Sequence, residues 1–268
     1  MPQIRTDYIG RLLSDLLFPP RCPGCGELIR FEYRFSYYKG TPEYKSFIHK
    51  KCRKKIRFIT GSFCRRCGTP IPGGSQLCRR CEDGRRSFDE GRSVMVYENE
   101  MRAAIAQVKY HSNKEYCGFF AFAAAKELES WIREKRIDCI VPVPVHPRKR
   151  RERGYNQAEV IAELLSEYTG IPMRTDVLIR KVDTKAQKEL TPDERRMNLI
   201  GAFGIRKMPD PGCAVLLVDD ILTTGATMDI CAMTLKTEGG AGTVYVLSIL
   251  AAGHSEPRPD GSRKPSGF

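Results

Sequence analysis

The chain has 268 residues, with 45 Lys and Arg against 32 Asp and Glu and a formal net charge of +13. That length holds one or two domains with room for a sizeable core. The positive field favours anionic partners (phosphates, nucleic acid or an acidic membrane surface) without choosing among them. No secretory leader is visible, and no apolar run approaches the ~20 residues that a membrane helix needs, so no integral membrane segment is expected.

From the start of the chain, Ile9, Leu12, Leu13, Leu16 and Leu17 recur at helical spacing and Pro19-Pro20 stops the pattern. This predicts an amphipathic helix within residues 1–20. The preferred reading docks it on its own protein, because a membrane-surface helix would carry more Lys and Arg on its polar face.

Residues 21–84 read as a metal module. Cys22-Pro23-Gly24-Cys25-Gly26 and Cys64-Arg65-Arg66-Cys67-Gly68 are knuckles, each placing two thiolates at i and i+3 with glycine allowing the tight turn. Their partners are His49-x-x-Cys52 and Cys78-x-x-Cys81. Zn²⁺ takes four tetrahedral N/S ligands, so consecutive pairing gives two structural sites: Cys22, Cys25, His49 and Cys52, then Cys64, Cys67, Cys78 and Cys81. The other reading of His49 is a surface histidine beside a buried thiol. Arg65, Arg66, Arg79 and Arg80 are expected to lower the thiol pKa values of the second site. Such cysteines without a secretory leader suit a reducing cytoplasm, not disulfides.

Between the first two ligand pairs, Phe31-Glu32-Tyr33-Arg34-Phe35-Ser36-Tyr37 alternates aromatic and polar residues. Period two predicts a hairpin with one aromatic face. Beside so many lysines that face could stack single-stranded bases; a small aromatic core propping up the ribbon is preferred.

Residues 82–93 read as a polar, basic linker, and a second domain is expected over 88–252. Within it a strand is predicted at Val94–Tyr97, a helix at Glu98–Tyr110 with Met101, Ile105 and Val108 inward, and an Ala-rich helix at Tyr116–Arg133. A buried strand at Ile137–Val143 leads into a loop whose three X–Pro bonds admit a cis peptide. Five cations between Arg148 and Arg153 precede a helix at Ala158–Tyr168. Cations at a helix start oppose the dipole, which argues for an anion there. Strands follow at Val177–Arg180 and Ala202–Ile205. Between them, Val182–Leu190 reads as a flexible loop, and Thr191-Pro192-Asp193-Glu194 as a capping box opening a short helix that carries Arg195, Arg196 and Asn198. A strand at Thr243–Leu250 and a disordered tail over 253–268 complete the chain.

The most informative stretch is Val215-Leu216-Leu217-Val218-Asp219-Asp220-Ile221-Leu222-Thr223-Thr224-Gly225-Ala226-Thr227. A short apolar run, the mark of a buried parallel strand, turns at once into two acids and a small-residue bend, and a helix follows over Met228–Lys236. Open α/β sheets bind ligands at the carboxyl ends of strands. The N–H groups and hydroxyls of Thr223, Thr224, Gly225, Ala226 and Thr227 suit a phosphate monoester. Asp219 and Asp220 suit ribose hydroxyls and a divalent cation nearby. The alternative is a buried strand and a capped helix with no ligand.

This stretch resembles the signature by which type I phosphoribosyltransferases bind phosphoribosyl pyrophosphate (PRPP). The resemblance implies an α/β fold with a parallel sheet flanked by helices. It puts the 5′-phosphate on Thr223–Thr227 and the ribose 2′ and 3′ hydroxyls on Asp219 and Asp220, with Mg²⁺ accompanying PRPP. It also implies pyrophosphate near Arg148 and Lys149, and a mobile lid between the two strands before the signature. The order of motifs is similar to that of the ComF family along nearly the whole chain: a double zinc ribbon, Lys109-Tyr110-His111, Val141-Pro142-Val143-Pro144-Val145-His146-Pro147-Arg148, Glu152-Arg153-Gly154-Tyr155-Asn156-Gln157-Ala158-Glu159, the 195–203 stretch, then the signature. His49 and the aromatic insertion depart from its pattern. Membership implies a cytoplasmic, phosphoribosyltransferase-like protein, needed in some bacteria for natural transformation, with single-stranded DNA and DNA-uptake proteins as partners. Phosphoribosyl transfer to a nitrogen nucleophile, a single-stranded-DNA-binding role with PRPP as ligand or relic, and non-catalytic PRPP sensing stand side by side.

Overall fold

The computed structural model describes residues 8–82, 84, 86–182, 199–207 and 210–253. The readings made on residues 183–198 and on the tail from 254 lie outside the described residues.

Six strands and ten α-helices make up the described fold. The main sheet runs β1 (Glu90–Val96), β6 (Thr243–Ala251), β5 (Ala214–Leu222), β2 (Cys139–Pro142), every pair parallel. β5 lies centrally and is buried on both faces, which is why it reads as an unbroken apolar run. Its side chains alternate. Leu216 and Val218 pack with α5 (Asn99–Tyr110), α6 (Tyr116–Glu127) and α9 (Gln157–Thr169). Val215 and Leu217 pack on the other face with α10 (Ala226–Thr237) and the second zinc ribbon. A parallel sheet flanked by helices and preceded by a zinc-ribbon module is the fold class expected. β3 (Leu178–Arg180) and β4 (Phe203–Ile205) form a separate antiparallel pair that brackets residues 183–198.

Several predicted elements are redrawn. β1 starts at Glu90, inside the predicted linker, because Glu90 to Val96 already pair with β6. The predicted helix at 116–133 is two helices, α6 and α7 (Glu129–Glu134), broken at Leu128. The cations after β2 form their own helix, α8 (Pro147–Arg153), with Pro147 in its first turn and His146 accepting from the Arg148 amide. No cis peptide occurs in the loop before it.

The aromatic insertion is not a hairpin. It folds as a 3-10 turn (Phe31–Arg34), α2 (Phe35–Tyr38) and a second 3-10 turn (Tyr44–Ser46). Buried Arg34 organises it. Its guanidinium lies 4.0 Å from the Tyr37 ring centroid, donates to the Ser46 carbonyl at 2.8 Å and pairs with Asp15 at 2.7 Å. The rings of Tyr44 and Phe47 then pack on Phe122 of α6, each with centroids 5.1 Å apart. The insertion is thus a prop between ribbon and sheet domain.

Asp15 belongs to α1 (Tyr8–Leu17), so this helix docks on its own chain, but through its polar side. Leu16 and Leu17 are 61% and 74% exposed, the reverse of what the leucine spacing predicts.

Two ligand clusters assemble as the consecutive pairing requires. The thiol and imidazole atoms of Cys22, Cys25, His49 and Cys52 lie within 4.8 Å of one another, as do the four sulfurs of Cys64, Cys67, Cys78 and Cys81. Each knuckle turns through a left-handed glycine, Gly26 (φ 76°) and Gly68 (φ 74°), so that its amide bonds back to the first cysteine's carbonyl. Gly68 also has to be bare, since a Cβ there would lie 2.5 Å from Arg92 Cα on β1. His49 turns Nδ1 to within 3.4 Å of Cys25 Sγ and Nε2 to within 3.2 Å of the Leu28 carbonyl. An Nε2–H donating to that carbonyl leaves Nδ1 bare to bind metal, the usual outer-shell arrangement of a ligating histidine. Both donor sets therefore fit structural Zn²⁺. At the second site, the Cys67 hydrogen bond draws the Cys64 thiol down to about 6. This sulfur-to-sulfur contact, not the expected flanking arginines, is the main cause, and the same contacts push the Cys67 and Cys81 thiols up, against the lowering expected for the whole site. Purified protein is expected to hold about two zinc equivalents per chain. His49→Ala should reduce this to about one, read by metal analysis against protein concentration, with the folded circular dichroism signature retained.

Candidate functional site

The β2 ladder ends where the acids begin. Val143 N–H donates to the Val218 carbonyl, Pro142 is the last paired residue of β2, and the chain then leaves towards α8. β5 continues to Leu222 against β6, so Asp219 and Asp220 lie just inside the strand and not at its last residues as predicted.

The pleat sends the two acids to opposite faces. Asp220 follows Leu216 and Val218 towards α5 and meets Lys109 Nζ at 2.8 Å; the side chains are 5% and 18% exposed. Burial works against the Lys109 charge, but the Asp220 carboxylate, with Asp219 beyond it, holds the ammonium above the usual lysine range. Asp219 follows Val215 and Leu217. Burial and the neighbouring Asp220 charge push its carboxyl up to about 8, only partly opposed by Lys109. On the same side, burial and then the Asp219 carboxylate push the Cys231 thiol of α10 well above its ordinary value.

After β5 the bend turns through Gly225 (φ 79°), which caps α10. The Ala226 amide bonds to Thr224 Oγ1 at 3.3 Å, and Gly225 and Ala226 are buried while Thr223 is exposed. The carbonyl side of the bend is held by the metal module. Arg80 donates to the Thr223 carbonyl at 2.5 Å and Arg86 to the Thr224 carbonyl at 3.0 Å. Arg86 is half-buried, 4.0 Å from Asp229 of α10, whose other oxygen takes the Ser87 amide at 2.6 Å.

The predicted acids and the predicted phosphate bend thus share one sheet end. Arg148 and Lys149 open α8, the helix that follows β2 at that same end, and α8 has no buried residue. Arg148 pairs with Glu152 at 3.0 Å, which offsets a cation in the first helical turn. The Gly154-Tyr155-Asn156-Gln157 motif fastens this region. Tyr155 OH donates to the Val108 carbonyl, and buried Asn156 donates to the Val143 carbonyl while capping α9.

Sequence reasoning did not assign Lys109, Arg80 or Arg86 to this site. Lys109 left a signal: it stands four residues after Ile105, on the inward stripe of α5, where an unpaired charge is not tolerated. The arginines left none, because their partners are backbone carbonyls far along the chain.

Burial, and then the Asp220 charge, push the Asp219 carboxyl from the ordinary carboxylate range up to about 8. Its contribution to stability is therefore fully present below ~4 and is lost as pH rises through about 8. Denaturant midpoints are expected to fall over that range, and Asp219→Asn should flatten the slope; equal slopes in both proteins would contradict the raised pKa.

A family model described as "Double zinc ribbon domain" matches residues 13–82. Competence protein ComFC of Bacillus subtilis is 28% identical over 205 residues, covering 74% of this chain and 82% of that protein. Competence protein F of Haemophilus influenzae is 27% identical over 200 residues, covering 73% and 86%. Among solved structures, adenine phosphoribosyltransferase of Saccharomyces cerevisiae is similar over 53% of this chain and 72% of its own, with 18% identity and a TM-score of 0.33. The ribbon match and these competence proteins together are what the chain is similar to, in keeping with the ComF family.

Proposed function

We propose that the protein binds PRPP with Mg²⁺ and transfers its phosphoribosyl group to a nitrogen nucleophile. The observation that carries this reading is the meeting, at the end of β5, of an acid pair with an amide-rich bend that opens a helix. The Thr223–Thr227 bend receives the 5′-phosphate on N–H groups and hydroxyls. Asp219 and Asp220 accept hydrogen bonds from the ribose 2′ and 3′ hydroxyls, and their carboxylates also suit Mg²⁺, which takes one or two protein carboxylates together with substrate phosphate oxygens. Lys109 pairs with Asp220 at 2.8 Å and fixes the direction of its carboxylate. Arg148 and Lys149, at the start of α8, suit the departing pyrophosphate, because guanidinium and ammonium groups grip phosphate oxygens. The protein's contribution is then positioning and charge stabilisation of an oxocarbenium-like transition state. Calorimetry with PRPP and Mg²⁺ should give binding heat, and replacing Asp219 and Asp220 with alanine should weaken binding at least about tenfold. Isotope-labelled pyrophosphate should be released when the right acceptor is added. No heat in the unaltered protein would end this reading.

A second reading is favoured by α8 itself, five cations in one exposed helix. In it the protein is a non-catalytic, PRPP-responsive single-stranded-DNA-binding factor, cytoplasmic and working beside DNA-uptake proteins, in keeping with the competence names of its relatives. In the aromatic insertion Tyr38 and Phe47 are buried in the prop, and Phe31 and Phe35 are the rings left exposed for base stacking. Oligonucleotide affinity should then fall steeply with salt, the logarithmic slope losing about two when Arg150 and Arg151 become alanine. Weak binding without salt dependence would exclude it.

A further inference from the structure

The second zinc ribbon and the segment leaving it hold two carbonyls of the phosphate bend. Arg80 lies in α4 (Arg79–Glu82), between the ligands Cys78 and Cys81, and donates to the Thr223 carbonyl. Arg86 leaves the same ribbon and donates to the Thr224 carbonyl, and a Cβ on Gly225 would lie 3.5 Å from its Nη1. In a planar trans peptide the C=O of one residue and the N–H of the next point in opposite directions. Holding the Thr223 carbonyl to the ribbon therefore aims the Thr224 N–H away from it, and holding the Thr224 carbonyl does the same for Gly225. A cationic donor on the carbonyl also polarises the peptide, making its N–H a stronger donor.

We infer that Arg80 and Arg86 are positioning residues, through which the Cys64–Cys67–Cys78–Cys81 site sets the direction and donor strength of the amides that receive a phosphate monoester. Neither guanidinium touches the phosphate; each acts through a backbone carbonyl. Zn²⁺, when bound, fixes the short α4 helix, and with it the reach of Arg80. The ribbon is then part of the binding device of the sheet domain. This inference rests on the proposed phosphate site and adds the element that orders it.

Arg80 is exposed, so its replacement leaves no buried charge. Arg86 is half-buried beside Asp229 and is the poorer choice. The probe is ribose 5-phosphate, titrated by calorimetry into zinc-loaded full-length protein, Arg80→Gln and Arg80→Lys, with zinc content checked in each. Arg80→Gln should bind roughly three- to tenfold more weakly. Without ligand, its Thr224 amide proton should move upfield in ¹H–¹⁵N spectra, a change that a merely structural arginine would not produce. Arg80→Lys, which keeps a cationic donor, should recover most of both effects. If the unaltered protein binds and Arg80→Gln binds equally well, or if lysine is no better than glutamine, the inference falls and the phosphate site stands. If the unaltered protein does not bind ribose 5-phosphate, both fall.

Discussion

Two carboxylates on consecutive residues of a strand buried on both faces are an electrostatic problem, and the sheet domain is arranged around its solution. The pleat separates them: Asp220 turns to Lys109 at 2.8 Å, while Asp219 turns to the α10 side. Only one of the two gains a direct cation. The other is left with a pKa of about 8, ready to ionise when a cation or a set of hydroxyls arrives. β2 ends at Pro142, opposite Val218, so the acids that follow on β5 are laddered to β6 alone. Position in the ladder, direction of the pleat and one lysine on a neighbouring helix together make the site.

What the sequence disclosed follows from how local each cause is. Zinc pairing was legible because each knuckle and its glycine lie within five residues and the metal demands four donors. β5 was legible because burial on both faces removes any polar position. The aromatic insertion misled. Its alternation matched a strand, but the governing event is the burial of Arg34 against Asp15, a residue in another element. The break at Leu128 was hidden because no Pro or Gly marks it, whereas α8 did carry its signals, Pro147 in the first turn and left-handed Gly154 at its end. The Lys109–Asp220 pair joins two separately readable segments, and only the fold brings them together.

The zinc module and the sheet domain are interlocked along more than one seam. Ile59 donates its amide to the Val94 carbonyl of β1, Gly68 admits the β1 backbone, and Arg80 and Arg86 hold the bend after β5. A ribbon that merely recruited a partner would need none of the last two contacts. Each of them reaches a backbone carbonyl of the bend that follows β5.

The first helix carries a different lesson. Asp15 faces inward because Arg34 cannot be left alone, and this single demand rolls the leucines of α1 into water. Trimming the helix to obtain a better-behaved protein would therefore remove the greasy surface and, in the same cut, strand a guanidinium among tyrosines. Handling properties and internal order are tied to one carboxylate near the front of the chain.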